Sequence, residues 1–268
     1  MRPLPSLIAL LILTACNFSP PAATPAQGTD GDWWRPAPGA SWQIQFSGEI
    51  DTSLEVEVYF LDLFETPASL VAELHAQGRR VVCYFSAGSW EDWRPDAADF
   101  PDEVIGKDYT DWPGERWLDA GALEALVPLM SARLDLCAAK GFNGADPDNV
   151  DGAYNDTGFA ISVEAQLAYN RWLAEQAHAR GLAIGLKNTP ELADALEPDF
   201  DWALTESCFA QGWCADLAPF RDAGKPVFAI EYVERGIATV DFCTPAAELG
   251  ISAILKALVL DDWVDICP

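Results

Sequence analysis

Cationic side chains are what this 268-residue chain has least of: 16 Lys and Arg stand against 42 Asp and Glu, a formal charge of −26. A surface of that sign repels nucleic-acid phosphates and anionic lipid head groups, so neither is expected as a partner. Two readings of the charge remain: solubility in a salty or acidic environment, and attraction of a cationic ligand into an acidic cleft. Histidine is almost missing. His75 and His178 both fall in helical patterns and are expected to be exposed, so no cluster marks a zinc site and no metal or cofactor is expected. Neither a Gly-x-Gly-x-x-Gly fingerprint nor a P-loop occurs. No Ser-His or Cys-His pair is available at the strand ends described below, which argues against acyl transfer by a nucleophile and its base.

The N-terminus lacks a spanning helix as well. Arg2 is followed by an apolar run over residues 7–13, too short to cross a bilayer, and then by Leu13-Thr14-Ala15-Cys16. This segment resembles a bacterial lipoprotein signal with Cys16 as the lipidated residue. Asn17 in place of Asp favours delivery to an outer membrane in a diderm host; an ordinary secretory signal is the alternative. Residues 17–32, rich in Pro, Ala and Thr, read as a flexible tether, and residues 33–268 as one domain. The expectation is an exported monomer whose contact with a membrane is the lipid anchor alone.

Apart from Cys16 there are six cysteines, an even number in an exported chain, and disulfides are the default over metal binding. Cys208 and Cys214 are close enough in sequence to close a loop. For the others, Cys83 with Cys137 and Cys243 with Cys267 is the preferred pairing, although six cysteines allow about fifteen arrangements.

What the chain does have is apolar and aromatic bulk: half its residues are hydrophobic, and 11 are Trp. Strand-like runs at 42–46, 56–61, 80–85, 182–186, 200–204, 226–230 and 251–255 alternate with helical patterns at 67–77, 122–140, 163–180, 216–223 and 245–249. An eighth strand begins after Gly141. Nearly every strand ends in polar or aromatic residues, the pattern of an α/β fold of the (β/α)8 TIM-barrel kind with its site at the carboxyl ends. The link from residue 46 to 56 is too short for a full helix, so the barrel is irregular at its first unit; an open doubly wound sheet is the runner-up. Residues 91–120 form a long aromatic and acidic loop, a length that is usually functional.

The densest chemistry follows Gly141, in Asp146-Pro147-Asp148-Asn149-Val150-Asp151-Gly152-Ala153-Tyr154. A calcium loop fails here, because counting from Asp146 places Asp151 where the turn needs Gly and Thr157 where the ligand Glu belongs. Collected with the other strand ends, these residues join Asp62, Tyr84 and Ser86, Lys187 and Asn188, Glu206, Glu231 and Tyr232, and Lys256. Paired carboxylates with amides and aromatics suit glycoside cleavage: one carboxyl protonates the leaving oxygen, and another attacks the anomeric carbon or activates water. Tyr84, Tyr232, Trp42 and Trp90 are candidate stacking platforms for sugar rings. Asp151 or Glu231 is expected to raise the pKa of Glu206 by like-charge repulsion. The bland reading keeps Asp62, Asp146 and Asp151 as solvated or loop-capping carboxylates and Tyr84 as packing at the rim.

Five separated stretches, Cys83-Tyr-Phe-Ser-Ala-Gly-Ser-Trp-Glu91, Pro147-Asp-Asn-Val-Asp-Gly152, Leu186-Lys-Asn188, Glu206-x-Cys208 and Glu231-Tyr232, fall in order at successive strand ends. Together they resemble glycoside hydrolase family 114, over roughly residue 33 to the C-terminus. The resemblance implies a TIM-barrel domain, endo-α-1,4-polygalactosaminidase activity, and a catalytic pair at Asp148 and Glu206. It also implies a partly deacetylated, cationic galactosamine polymer as partner, in agreement with the charge imbalance. One departure is visible, since Asp146 stands where the family pattern would place Glu. Two other classes of function compete: a surface lipoprotein that binds amino-sugar polymer without cutting it, and a barrel hydrolase of neutral polysaccharide.

Overall fold

The computed structural model describes residues 33–110 and 112–268, so the signal segment, Cys16 and the tether lie outside the described residues. Eight short strands, largely buried on both faces, pair in parallel in chain order: β1 (Trp42–Gln45), β2 (Val58–Asp62), β3 (Arg80–Ser86), then three short strands of an insertion, then β7 (Gly144–Asp148), β8 (Ala183–Lys187), β9 (Trp202–Glu206), β10 (Val227–Tyr232) and β11 (Ser252–Lys256). Burial on both faces is what a parallel strand covered by helices requires. The helices are α1 (Ala68–Ala76), α2 (Leu123–Lys140), α3 (Val163–Ala179), α4 (Ala193–Leu196), α5 (Cys208–Gln211), α6 (Ala218–Asp222) and α7 (Thr239–Leu249). Ser162 caps α3 by accepting the Ala165 N–H at 3.1 Å, and Gly141 ends α2 with φ at 89°, a left-handed turn that glycine enters without penalty.

The sheet curls into a barrel with two apolar layers. One lies inside it, around Trp42, Phe60, Trp202 and Phe228; the other fills the space between sheet and helices. As expected, no helix joins β1 to β2. The barrel is closed without a ladder between β1 and β11: Phe46 and Ser47 donate backbone N–H groups to the Leu260 carbonyl at 2.8 and 3.1 Å, and the fully buried Lys256 ammonium bridges Gln43 Oε1 and the Asp261 carbonyl at 3.2 and 2.6 Å. A last strand, β12 (Asp265–Ile266), runs antiparallel to β11.

The stretch expected as a long loop contains a second sheet. Strands β4 (Ser89–Glu91), β5 (Ile105–Asp108) and β6 (Glu115–Leu118) pair antiparallel in the order β4-β6-β5, inserted between β3 and α2. Arg133 of α2 ties this insert to the barrel, bonding the Ser86 carbonyl at 2.6 Å and Asp96 at 2.8 and 2.9 Å.

At the opposite end, where strands begin, residues 33–35 clamp the barrel floor. Trp33 stacks on His178 at 3.9 Å and donates its indole N–H to Asp201 at 3.0 Å; Arg35 pairs with Asp201 at 3.3 Å. Both histidines are therefore half-buried and hydrogen-bonded, His75 to Asn143 at 2.8 Å and His178 to Asp201 at 2.9 Å, rather than exposed. Their helices end where the next strand starts, and the ring closes that corner. Trp42 also departs from expectation. It is 1% exposed inside the barrel, packed on Phe60 and Phe228 at 5.3 and 5.1 Å, and has no face to offer a sugar. The disulfides join Cys83 to Cys137, Cys208 to Cys214 and Cys243 to Cys267, the pairing preferred from the sequence.

Candidate active site

Above the strand ends lies a cleft of about 800 Å³, within the size range of ligand sites. Its floor is set by three consecutive strands that finish on ionisable residues: Asp148 on β7, Lys187 on β8 and Glu206 on β9. Each is followed by a non-glycine residue in the left-handed region, Asn149 at φ 62°, Asn188 at 45° and Ser207 at 60°. Leu260, at φ 47°, is the only other such residue among those described, and it too lines the cleft. Strain of this kind gathers where surrounding structure over-determines the backbone, as at functional sites. The sharp turns put side chains to use. Asn188 accepts the Glu206 N–H at 2.8 Å and donates to Glu206 Oε2 at 2.7 Å, while Asn149 accepts from Ser86 Oγ at 2.7 Å and donates its backbone N–H to Asp148 at 2.8 Å. Gly88 allows that corner to close, because a Cβ there would sit 1.7 Å from the Asn149 carbonyl oxygen.

Lys187 is the hub. It is 2% exposed, and its Nζ lies 3.4 Å from Asp148, 3.5 Å from Glu206 and 3.5 Å from Asp146. Burial alone would strip its proton, but three carboxylates outweigh burial and hold the ammonium charged. Glu206 shows the reverse balance: burial pushes its pKa up, and Lys187 with the hydrogen bonds from Tyr232 and Asn188 brings it below the ordinary value. Asp148 accepts the Tyr84 hydroxyl at 3.1 Å. Asp146, fully buried beneath Lys187, makes no hydrogen bond through either oxygen, and burial lifts its pKa to about 6. Asp151 lines the cleft and is likewise raised to about 6, chiefly by burial.

The remaining expected residues divide between cleft and support. Asp62, Tyr84, Asn149, Asn188 and Tyr232 line the cleft. Asp62 is paired with Arg94 at 2.8 Å, and Arg94 also makes two bonds of 2.8 Å to Glu91. Ser86 is buried beneath the cleft, and Trp90 is turned into the insert, its indole N–H on the Ala97 carbonyl at 2.9 Å. Glu231 is fully buried and caps α5, accepting from the N–H groups of Phe209 at 2.8 Å and Ala210 at 3.3 Å. That corrects its expected roles: occupied by backbone donors, it neither faces the cleft nor raises Glu206. Lys256 is spent on the barrel seam. Among the described residues, one group has metal-ligand spacing, Cys208, Cys214 and Glu231, but its two sulfurs are joined to each other.

Sequence reasoning marked residues 91–120 as functional by length but did not single out the side chains that form a wall of the cleft. Trp93, Tyr109, Trp112 and Glu115 of the insert line the cleft, with Trp213 from the turn after α5. The available signal was the length and aromatic content of residues 91–120; the strands themselves are too short and too charged to show a period. Glu115 stands out, its pKa raised to about 7, first by burial.

A family model described as glycoside-hydrolase family GH114 matches residues 22–268. Among solved structures, Aspergillus fumigatus Ega3 in complex with galactosamine is similar with a TM-score of 0.84 and 38% identity, over 90% of this chain and 100% of that one. The glycoside hydrolase domain of PelA from Pseudomonas aeruginosa shares the fold, with a TM-score of 0.66 and 17% identity over 83% of this chain and 96% of that one. An uncharacterized protein of Deinococcus radiodurans is 29% identical over 287 residues, 88% of this chain and 89% of that protein.

Proposed function

The chain belongs to glycoside-hydrolase family GH114, and from that premise and the site's geometry we infer that it hydrolyses internal α-1,4 linkages of a galactosamine-containing polysaccharide, with Asp148 and Glu206 as its catalytic pair. The likeness to a galactosamine complex supports the sugar, and a charge of −26 suits a polymer of protonated amines. The observation that carries the reading is the shared ammonium. Lys187 Nζ at 3.4 and 3.5 Å confines an oxygen of Asp148 and one of Glu206 to within about 7 Å of each other, a bound that admits the roughly 5–5.5 Å of retaining enzymes.

In this reading Asp148, 3.4 Å from Lys187 Nζ and accepting the Tyr84 hydroxyl, attacks the anomeric carbon while Glu206 gives its proton to the departing glycosidic oxygen. Water then attacks the glycosyl ester, Glu206 takes the water proton back, and Asp148 leaves as carboxylate. Because Lys187, Tyr232 and Asn188 hold Glu206 below its ordinary pKa, the form with Glu206 protonated shrinks as pH rises, so kcat/KM is expected to peak on the acid side of neutrality. The three disulfides fit an oxidising, exported setting. The Leu13-Thr14-Ala15-Cys16 stretch supports attachment of a monomer to the cell envelope through lipid on Cys16.

The test is product size by mass spectrometry after incubation with partly deacetylated poly-α-1,4-galactosamine. Short oligomers from the native chain, and a loss of about a thousandfold or more in Asp148→Asn and Glu206→Gln, are expected. Near-normal turnover in both variants would overturn the pair; intact polymer that co-sediments with the chain would make it a binding protein.

A further inference from the structure

The carboxylates of the cleft differ in what answers their charge. Asp148 and Glu206 share Lys187; Asp62 and Glu91 share Arg94. Glu115, on β6 of the inserted sheet, makes no ion pair among the described residues although it is only 8% exposed. Its Oε1 accepts a short hydrogen bond from Ser89 Oγ, and among the described residues no donor is bonded to its Oε2, on a side chain that lines the cleft. The placement is rigid. Ser89 Oγ is held by Ser86 Oγ at 2.5 Å and lies 3.2 Å from Asn149 Oδ1, and Asn149 donates its backbone N–H to Asp148. A carboxyl oxygen that opens on the cleft from a side chain otherwise buried, with no bonded donor among the described residues and fixed relative to Asp148, is an acceptor placed for a ligand.

We propose that Glu115 takes the protonated amine of a galactosamine unit, so that the cleft selects a deacetylated over an N-acetylated sugar beside the bond that breaks. The proposal rests on the hydrolase reading above. An ammonium brings a charge and three N–H donors to the open oxygen; an acetamide brings one neutral N–H and turns a carbonyl and a methyl toward a carboxylate. Tyr109 supports the assignment. Its ring packs on Trp117 at 4.8 Å, and its hydroxyl lies in the field of Asp148, Asp151, Glu115 and Glu206. It therefore borders a pocket of negative potential, and its ring is one on which a cation can rest. Proton chemistry fits as well. Burial takes the Glu115 carboxyl up to about 7; Ser89 and Arg94 oppose the rise, and Glu91 and Asp148 add to it. An arriving ammonium favours the anion, so amine binding near neutrality expels a proton.

Glu115→Gln keeps the volume and the acceptor for Ser89 but removes the charge. On a Glu206→Gln background, where oligomers stay intact, affinities for deacetylated and N-acetylated α-1,4-galactosamine oligomers of equal length are compared with and without Glu115→Gln. The expected result is a fall of about tenfold or more in the preference for the amine form. An unchanged preference overturns the proposal and leaves the hydrolase reading standing; a native chain that neither binds nor cleaves either oligomer overturns both. Should the double variant not fold, calorimetry of the Glu206→Gln chain at pH 7 in two buffers of different ionisation enthalpy decides. The deacetylated oligomer is expected to release on the order of half a proton more than the N-acetylated one, and equal release overturns the proposal.

Discussion

At the ends of β7 and β9, Asp148 and Glu206 face an ammonium 3.4 and 3.5 Å away, whereas Glu115, in the same cleft on β6, faces the hydroxyl of Ser89. All three are carboxylates, and Glu115 is the least exposed of them. Glu206 is held below its ordinary pKa, and Glu115 is lifted to about 7. The difference is what each region supplies. The barrel sets Glu206 against Lys187 and so favours its anion in advance; the insert offers a neutral donor and leaves the charge of Glu115 to be settled by what binds.

The largest effect should come from removing the barrel's cation. Lys187→Met strands Asp146, Asp148 and Glu206 together, and a stability loss of about 3–5 kcal/mol in urea unfolding is expected, with turnover lost as well. A stable Lys187→Met would break the comparison at its root. Arg94→Met probes the border, since Arg94 joins Asp62 of β2 to Glu91 of β4; a loss of about 3 kcal/mol is expected, with the insert loosened before the barrel in hydrogen exchange.

Glu115→Gln should go the other way. The native fold binds a proton at Glu115 more tightly than the unfolded chain does, so its contribution is full below about pH 4.5 and is lost as pH rises toward 7. The variant is therefore expected to melt at the same temperature as wild type near pH 4.5 and to be more stable by about 1–2 kcal/mol at pH 8, a stability the native chain forgoes to keep the carboxylate. The smallest effect belongs to Ser89→Ala: its hydroxyl favours the Glu115 anion, so its loss should move the Glu115 titration upward by roughly one unit in carbon-detected NMR.

The barrel was legible because most of its parallel strands are short apolar runs bounded by polar residues, and helices intervene with their own period; β7, Gly144 to Asp148, is acidic and was placed by its position after Gly141. Which way a side chain points was not. Trp42 and Tyr84 both sit on strands buried on two faces, so nothing local distinguishes the tryptophan sealed inside the barrel from the tyrosine whose hydroxyl meets Asp148. Asp148 and Glu206 were readable from their place at strand ends. Glu115 was not, because Glu115-Arg116-Trp117-Leu118 carries too little apolar alternation to announce a strand, and its partner Ser89 lies far off in the chain. The left-handed turns at Asn149, Asn188 and Ser207 were hidden for another reason: asparagine enters that region more readily than most residues but does so at few of its positions, and Ser207 carries no such preference.

The Trp33 clamp fixes a direction as well as a floor. Trp33 and Arg35 are pinned through His178 and Asp201 at the pole where strands start, and the cleft opens at the pole where they finish. The polypeptide therefore enters the fold on the side facing away from its reaction.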